Sequence, residues 1–215
     1  MTNRICLLSS AYWAPVQYYA KLYAYPEVWI EACEHYVKQT WRNRCLIASP
    51  GGTQVLTVPV VKPATDKCPM KDIRISDHGN WRHLHWNALV AAYGNSPFFE
   101  FYADDFQPFY TRKWDFLFDF NEAIRRKVCE LLDLQPAVRQ TASYGLTGGP
   151  ADDLRDTISP KVPWEADAGF APRPYYQVFA RKYGFQPGLS VADLLFNMGP
   201  EALLVLRGSV VGAGR

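Results

Sequence analysis

A chain of 215 residues is long enough for one substantial core and short for two full domains. Its 48% hydrophobic, 15% aromatic and 20% charged composition is that of a chain that folds, and a net charge of +2 excludes the concentrated basic field of a dedicated nucleic-acid binder. No stretch approaches the roughly 18 apolar residues of a membrane span, and residues 1–20 lack a basic start followed by an apolar run, so a cytoplasmic protein without a membrane span is expected.

Ile5 to Ser9 is a short apolar run of strand formers, followed by a turn at Ala14-Pro15 and a helical stretch from Val16 to Tyr23. A second strand is predicted from Val28 to Ala32, completing a βαβ unit whose strands are parallel. Cys45 to Ser49 and Thr53 to Val60 flank Pro50-Gly51-Gly52 and predict a hairpin, and Ile73 to Ser76 predicts an edge strand. Trp81, Leu84, Ala88 and Ala92 recur at helical spacing after Asn80 or Asp77 as a cap, and the helix stops near Gly94. The aromatic run from Trp81 to Phe116 reads as core rings. Leu117, Phe120, Ile124, Val128 and Leu131 form one stripe of a helix from Trp114 to Leu134.

Residues 136–174 lose periodicity and carry Gly145, Gly148-Gly149-Pro150, Pro160, Pro163, Pro172 and Pro174, which predicts a long surface loop without regular elements. Ser190-Val-Ala-Asp193 reads as a capping box opening a helix from Val191 to Phe196, with Gly199-Pro200 as its stop. The expected fold is a single α/β domain over residues 1–215. It has an N-terminal βαβ unit with a mixed sheet, amphipathic helices packed on it, and a long Pro/Gly-rich loop before a C-terminal helix.

The segment from Glu31 to Arg44 concentrates acids, cations, amides and aromatics where the second strand ends, and ligands of parallel sheets bind outside the carboxyl ends of strands. Ser9, Ser10 and Tyr12 leave the first strand on the same edge. Lys38, Arg42 and Arg44 could converge on a phosphate or carboxylate, with Gln39 and Asn43 orienting a polar ligand. His35 is a candidate general base, with Glu31 or Glu34 holding its tautomer. The bland alternative is a solvated connection with surface ion pairs. His83 and His85 lack a third ligand and five widely spaced cysteines form no close pair, so neither a metal site nor disulfides are expected. Gly148-Gly149-Pro150 is not a phosphate loop, and nothing in the sequence names a cofactor.

Leu8-Ser-Ser-Ala-Tyr-Trp-Ala-Pro-Val-Gln-Tyr-Tyr, His35-Tyr-Val-Lys-Gln-Thr-Trp-Arg-Asn-Arg and Asn95-Ser-Pro-Phe-Phe-Glu-Phe-Tyr carry a resemblance, continued by Lys113-Trp-Asp-Phe-Leu, Tyr175-Tyr-Gln-Val-Phe and Leu189-Ser-Val-Ala-Asp-Leu-Leu-Phe-Asn-Met-Gly-Pro-Glu-Ala. In that order these segments resemble the WbqC-like protein family. The resemblance implies a role in O-antigen or surface-polysaccharide synthesis, with glycyl or aminoacyl transfer to an amino sugar, and a sugar or nucleotide sugar as small-molecule partner. By motif it points to Tyr36, Lys38, Gln39, Arg42, Asn43 and Arg44, then to Tyr176, Gln177, Asp193 and Asn197. The alternative is a noncatalytic protein that binds an anionic sugar in the same pathway.

Overall fold

The computed structural model describes residues 4–144 and 151–212, so the Gly145 and Gly148-Gly149-Pro150 turns lie outside the described residues. The chain runs β1 (Ile5–Ser9), α1 (Val16–Ala24), β2 (Glu27–Glu31), β3 (Arg44–Ser49) and β4 (Gly52–Thr57), then α2 (Trp81–Tyr93), α3 (Phe99–Thr111) and α4 (Leu117–Leu131). It continues through β5 (Val138–Gln140), β6 (Ala151–Asp153), α5 (Ala180–Tyr183), α6 (Val191–Met198) and α7 (Ala202–Gly208).

The expected βαβ unit is present: β1 and β2 pair in parallel from Ile5↔Glu27 to Ser9↔Glu31, with α1 as the crossover. Residues 136–174 correct the loop expectation, because β5 adds to β2 and β6 to β1, both in parallel, giving a four-stranded sheet in the order β5-β2-β1-β6. Each added strand has three residues, too few for a side-chain period to register. The chain moves outward from β1 to β2 and β5, then returns to the other side of β1 as β6, so the strand order reverses between β1 and β6. In parallel sheets that reversal opens a crevice at the carboxyl edge.

The hairpin forms a separate antiparallel pair, closed at Ser49↔Gly52, where Gly52 has φ +119. Ile73–Ser76 is not a strand; Ile75 and Arg74 make single bridges to Val60 and Phe116. The aromatic run contains α3, whose Phe106, Phe109 and Tyr110 are buried, and Phe106 packs with Phe196 of α6 at 5.9 Å between ring centres. Gly199-Pro200 ends α6 but leads through a 3-10 turn into α7, so the chain does not end on one helix.

Ser190 caps α6, accepting the Ala192 N–H at 3.1 Å. The capping box is incomplete, since the Ser190 N–H donates to the Leu46 carbonyl instead of Asp193. Neither Asn80 nor Asp77 caps α2: Asn80 has φ 47, and Asp77 pairs with Arg82 and Lys113. The segment around Asp167, after β6, is pinned to α1 by a buried ion pair, Lys21 Nζ with Asp167 Oδ2 at 2.7 Å, supported by the Gln17 amide at 2.8 Å.

Candidate functional site

Because all four strands of the sheet are parallel, the residues following β1, β2, β5 and β6 meet at one edge. Ser9 ends β1, Glu31 ends β2, Thr141 follows β5, and Asp153 and Arg155 end and follow β6. Beyond β1 and β6, at the strand-order reversal, lies a cleft of about 160 Å³ lined by Ser9, Trp41, Arg42, Arg155, Ser159 and Lys161 among others.

Arg42 and Glu34, at 7% and 4% exposure, form the central pair of this edge. Arg42 Nε donates to Glu34 Oε1 at 2.9 Å and Nη2 to Oε2 at 2.6 Å. The same Nη2 donates to Ser9 Oγ at 2.9 Å, and Ser9 Oγ donates to Glu34 Oε2 at 3.3 Å. The Ser9 hydroxyl is therefore oriented by a buried carboxylate and a guanidinium, on the wall of the cleft. Behind it, Asn121 of α4 donates to the Ser10 hydroxyl and to the Arg42 carbonyl, which ties the end of β1 to the Arg42 backbone.

A second knot ties the strand ends. Glu31, wholly buried, accepts from the Thr141 hydroxyl and from the Cys33 N–H at 2.9 Å. Arg155 holds Asp153 through Nε at 2.9 Å and Nη2 at 2.6 Å, and its Nη1 lies 3.6 Å from Glu31. The adjoining guanidinium holds the Asp153 carboxyl below the usual carboxylate range, and Asp153 in turn raises the pKa of Arg155. The Arg155 guanidinium also sits 5.4 Å from the centre of the Tyr144 ring, which in turn stacks on His35.

The structure thus brings Glu31, Glu34 and Arg42 to one edge but turns them inward, which corrects the expectation of a free cation cluster. Lys38 and Gln39 are exposed in a turn closed by Thr40 Oγ1 on the Val37 carbonyl, and Gln39 has φ 59. Arg44 opens β3 opposite Thr57, and Tyr36 lies near Arg42 and Arg44, its hydroxyl pKa raised by burial against the opposing pull of both cations. Asn43 is buried and donates to the Val58 carbonyl, which fastens the hairpin. His35 is exposed and is oriented by Tyr144, while Glu34 is engaged by Arg42 and Ser9.

Tyr12 does not reach the edge. It is fully buried, bonded to Tyr110 OH at 2.8 Å and to His85 Nδ1 at 2.9 Å, and Trp13 Nε1 donates to Tyr110. His85 also bonds the Thr57 backbone, so each proton of this chain has an acceptor if Tyr12 donates to a neutral imidazole. Burial lowers the His85 pKa to about 4, which keeps it neutral as a packed histidine.

Gln177, Asp193 and Asn197 form another interior cluster. Asp193 Oδ2 accepts from Tyr175 OH and Gln177 Nε2, both at 2.8 Å, and Asn197 donates back to the Asp193 carbonyl. Burial pushes the Asp193 carboxyl up to about 6 despite these donors. Tyr176, next in sequence, points outward at 55% exposure.

Sequence reasoning missed Thr141, Tyr144, Asp153, Arg155 and Lys161 because they fall in the stretch read as a loop. Asp152-Asp153-Leu154-Arg155 has the polar composition of an ordinary connection, so the sequence carried no signal for them.

Residues 10–159 match the WbqC-like protein family, a span reaching from the end of β1 through β6 and most of the cleft wall. A protein of Mycobacterium tuberculosis, described as uncharacterized protein Rv1507c, is 28% identical over 199 residues, which is 80% of this chain and 84% of the relative. No solved structure is a significant match. The match covers the larger part of the chain, including both ionic knots of the carboxyl edge, and on it the chain belongs to the WbqC-like protein family.

Proposed function

We propose that this protein is a transferase of surface-polysaccharide biosynthesis that carries a glycyl or other aminoacyl group to an amino sugar, with the cleft between β1 and β6 as its sugar site. The observation that carries the reading is the Ser9 hydroxyl, exposed to the cleft and held by the buried Glu34–Arg42 pair. Paired charges with spare hydrogen-bonding capacity suit a neutral, hydroxyl-rich ring better than a polyanion. Trp41 and Tyr18 in the same wall supply apolar surface for a sugar face. In the reaction the sugar amine attacks the carbonyl of an activated aminoacyl donor. The C–N bond forms as the bond to the leaving group breaks, and the amine proton passes to a carboxylate at the edge or to water. Arg42 and Arg155 line the cleft, and their positive charge favours the oxyanion that develops on the attacked carbonyl.

A second reading is a noncatalytic protein that binds the same sugar. It is favoured by the pairing of both arginines with carboxylates, Arg42 with Glu34 and Arg155 with Asp153, which leaves Lys161 as the cleft cation with no ion pair among the described residues.

The test incubates the protein with nucleotide-linked amino sugars and activated amino acids, reading product by mass spectrometry and binding by thermal shift. A ligand at about 100 times its Kd adds about 2.7 kcal/mol, which raises Tm by several degrees at about 2–4 °C per kcal/mol. Product that falls at least tenfold in Ser9→Ala supports the transferase. Binding without product across the panel supports the second reading, and neither binding nor product overturns both.

A further inference from the structure

Beside the cleft, over the ends of β2 and β5, the rings of His35 and Tyr144 lie almost parallel, 5° apart in plane with centroids 6.1 Å apart. Both side chains are exposed, Tyr144 at 64%. A third ring held between them would need two van der Waals layers of about 3.5 Å each, so the pair is not a sandwich but an offset aromatic surface open to solvent. Arg155 connects this surface to the cleft. Its guanidinium lies 5.4 Å from the Tyr144 centroid, and the residue also lines the cleft. Asp153 occupies Nε and Nη2, whereas Nη1 pairs more loosely with buried Glu31 at 3.6 Å and makes no hydrogen bond among the described residues, which leaves it able to donate to an anion. Lys161, exposed, adds a second cation on the same wall.

We propose that His35 and Tyr144 form the stacking platform for the base of a nucleotide-linked sugar, whose phosphates lie toward Arg155 Nη1 and Lys161 and whose sugar enters the cleft beside Ser9. The inference rests on the reading of the cleft as a sugar site and adds the form in which the sugar arrives. The order of groups along the edge matches the order in such a molecule: flat ring, anion, then a hydroxyl-rich ring. Bases stack on Tyr, His and Arg planes with little dependence on sequence, because every base has a π-face. His35 is on this reading a binding residue and not a base.

The experiment measures binding of uridine, thymidine and guanosine diphosphate sugars to the full chain, with the matching sugar 1-phosphate and the free nucleoside diphosphate as separate arms. At least one nucleotide sugar binds, its free nucleoside diphosphate competes with it, and the sugar 1-phosphate binds at least tenfold more weakly. Tyr144→Ala weakens the nucleotide sugar by about ten- to a hundredfold, the range for loss of one stacked base. Tyr144→Phe stays within about twofold of wild type, since stacking uses the ring and not the hydroxyl. Ser9→Ala leaves binding of the free nucleoside diphosphate unchanged. Unchanged affinity in a folded Tyr144→Ala overturns the platform and leaves the cleft reading standing, as does a sugar 1-phosphate that binds as tightly as the nucleotide sugar. No binding in any arm overturns both.

Discussion

Removing Arg42 tests whether the Glu34–Arg42 pair is a buried structural charge pair that orients Ser9 or an exposed ligand clamp. Arg42→Ala deletes hydrogen bonds of 2.9 and 2.6 Å to Glu34 and one of 2.9 Å to Ser9, and leaves a carboxylate that is 4% exposed without its counter-charge. Breaking a buried pair from one side costs about 3–5 kcal/mol, because the remaining charge is neither solvated nor compensated. At about 2–4 °C per kcal/mol for a chain of this size, Tm falls by about 6–20 °C. The double variant Arg42→Met with Glu34→Leu removes both charges and recovers most of that loss, since an apolar replacement needs no counter-ion. Differential scanning calorimetry of wild type, Arg42→Met, Glu34→Leu and the double variant closes the cycle. A Tm for Arg42→Ala within about 2 °C of wild type, or additive losses in the double variant, would refute a buried pair and return Arg42 to the surface clamp expected from sequence.

Lys21→Met leaves Asp167 buried with only neutral donors, so it should cost about 3–5 kcal/mol and speed tryptic cleavage after Lys161; an unchanged digestion pattern would show that the pair does not pin this segment. Asp193 binds its proton more tightly in the folded state, at about 6 against about 3.9 unfolded, so its favourable contribution is present below about pH 4 and is lost as pH rises through 6. The stability difference between wild type and Asp193→Asn should therefore shift against wild type by about 2 kcal/mol between pH 4 and pH 7 in urea titrations, and a difference independent of pH would contradict the assignment. Gly199 has φ +51, and a Cβ there would lie 2.4 Å from the Phe98 ring. Gly199→Ala should destabilise by about 1–3 kcal/mol, read as a lower Tm, whereas no change would mean that the α6–α7 corner relaxes freely.

Much of the fold was legible where a side-chain period ran long enough to be read. The stripe from Leu117 to Leu131 marked α4, the spacing from Trp81 to Ala92 marked α2, and Gly51-Gly52 between two apolar runs marked the hairpin. The aromatic segment was read as core without its helix α3, since rings nearly all round obscure a period and Pro108 argues against a helix. At the site, the sequence located the carboxyl edge near Ser9 and residues 31–44, but it placed Arg42 and Tyr12 at the ligand and Glu34 beside His35.

By itself the sequence determined the α/β class, the βαβ start and the polar character of the segment after β2, because those follow from local propensity and periodicity. Only the tertiary structure decided that β5 and β6 complete the sheet, since a three-residue strand exists by pairing with a neighbour already in place. The same holds for the charges. Whether Arg42 grips a ligand or Glu34 depends on which partner the fold brings within hydrogen-bond distance as water is excluded, and an unpaired charge could not remain buried there.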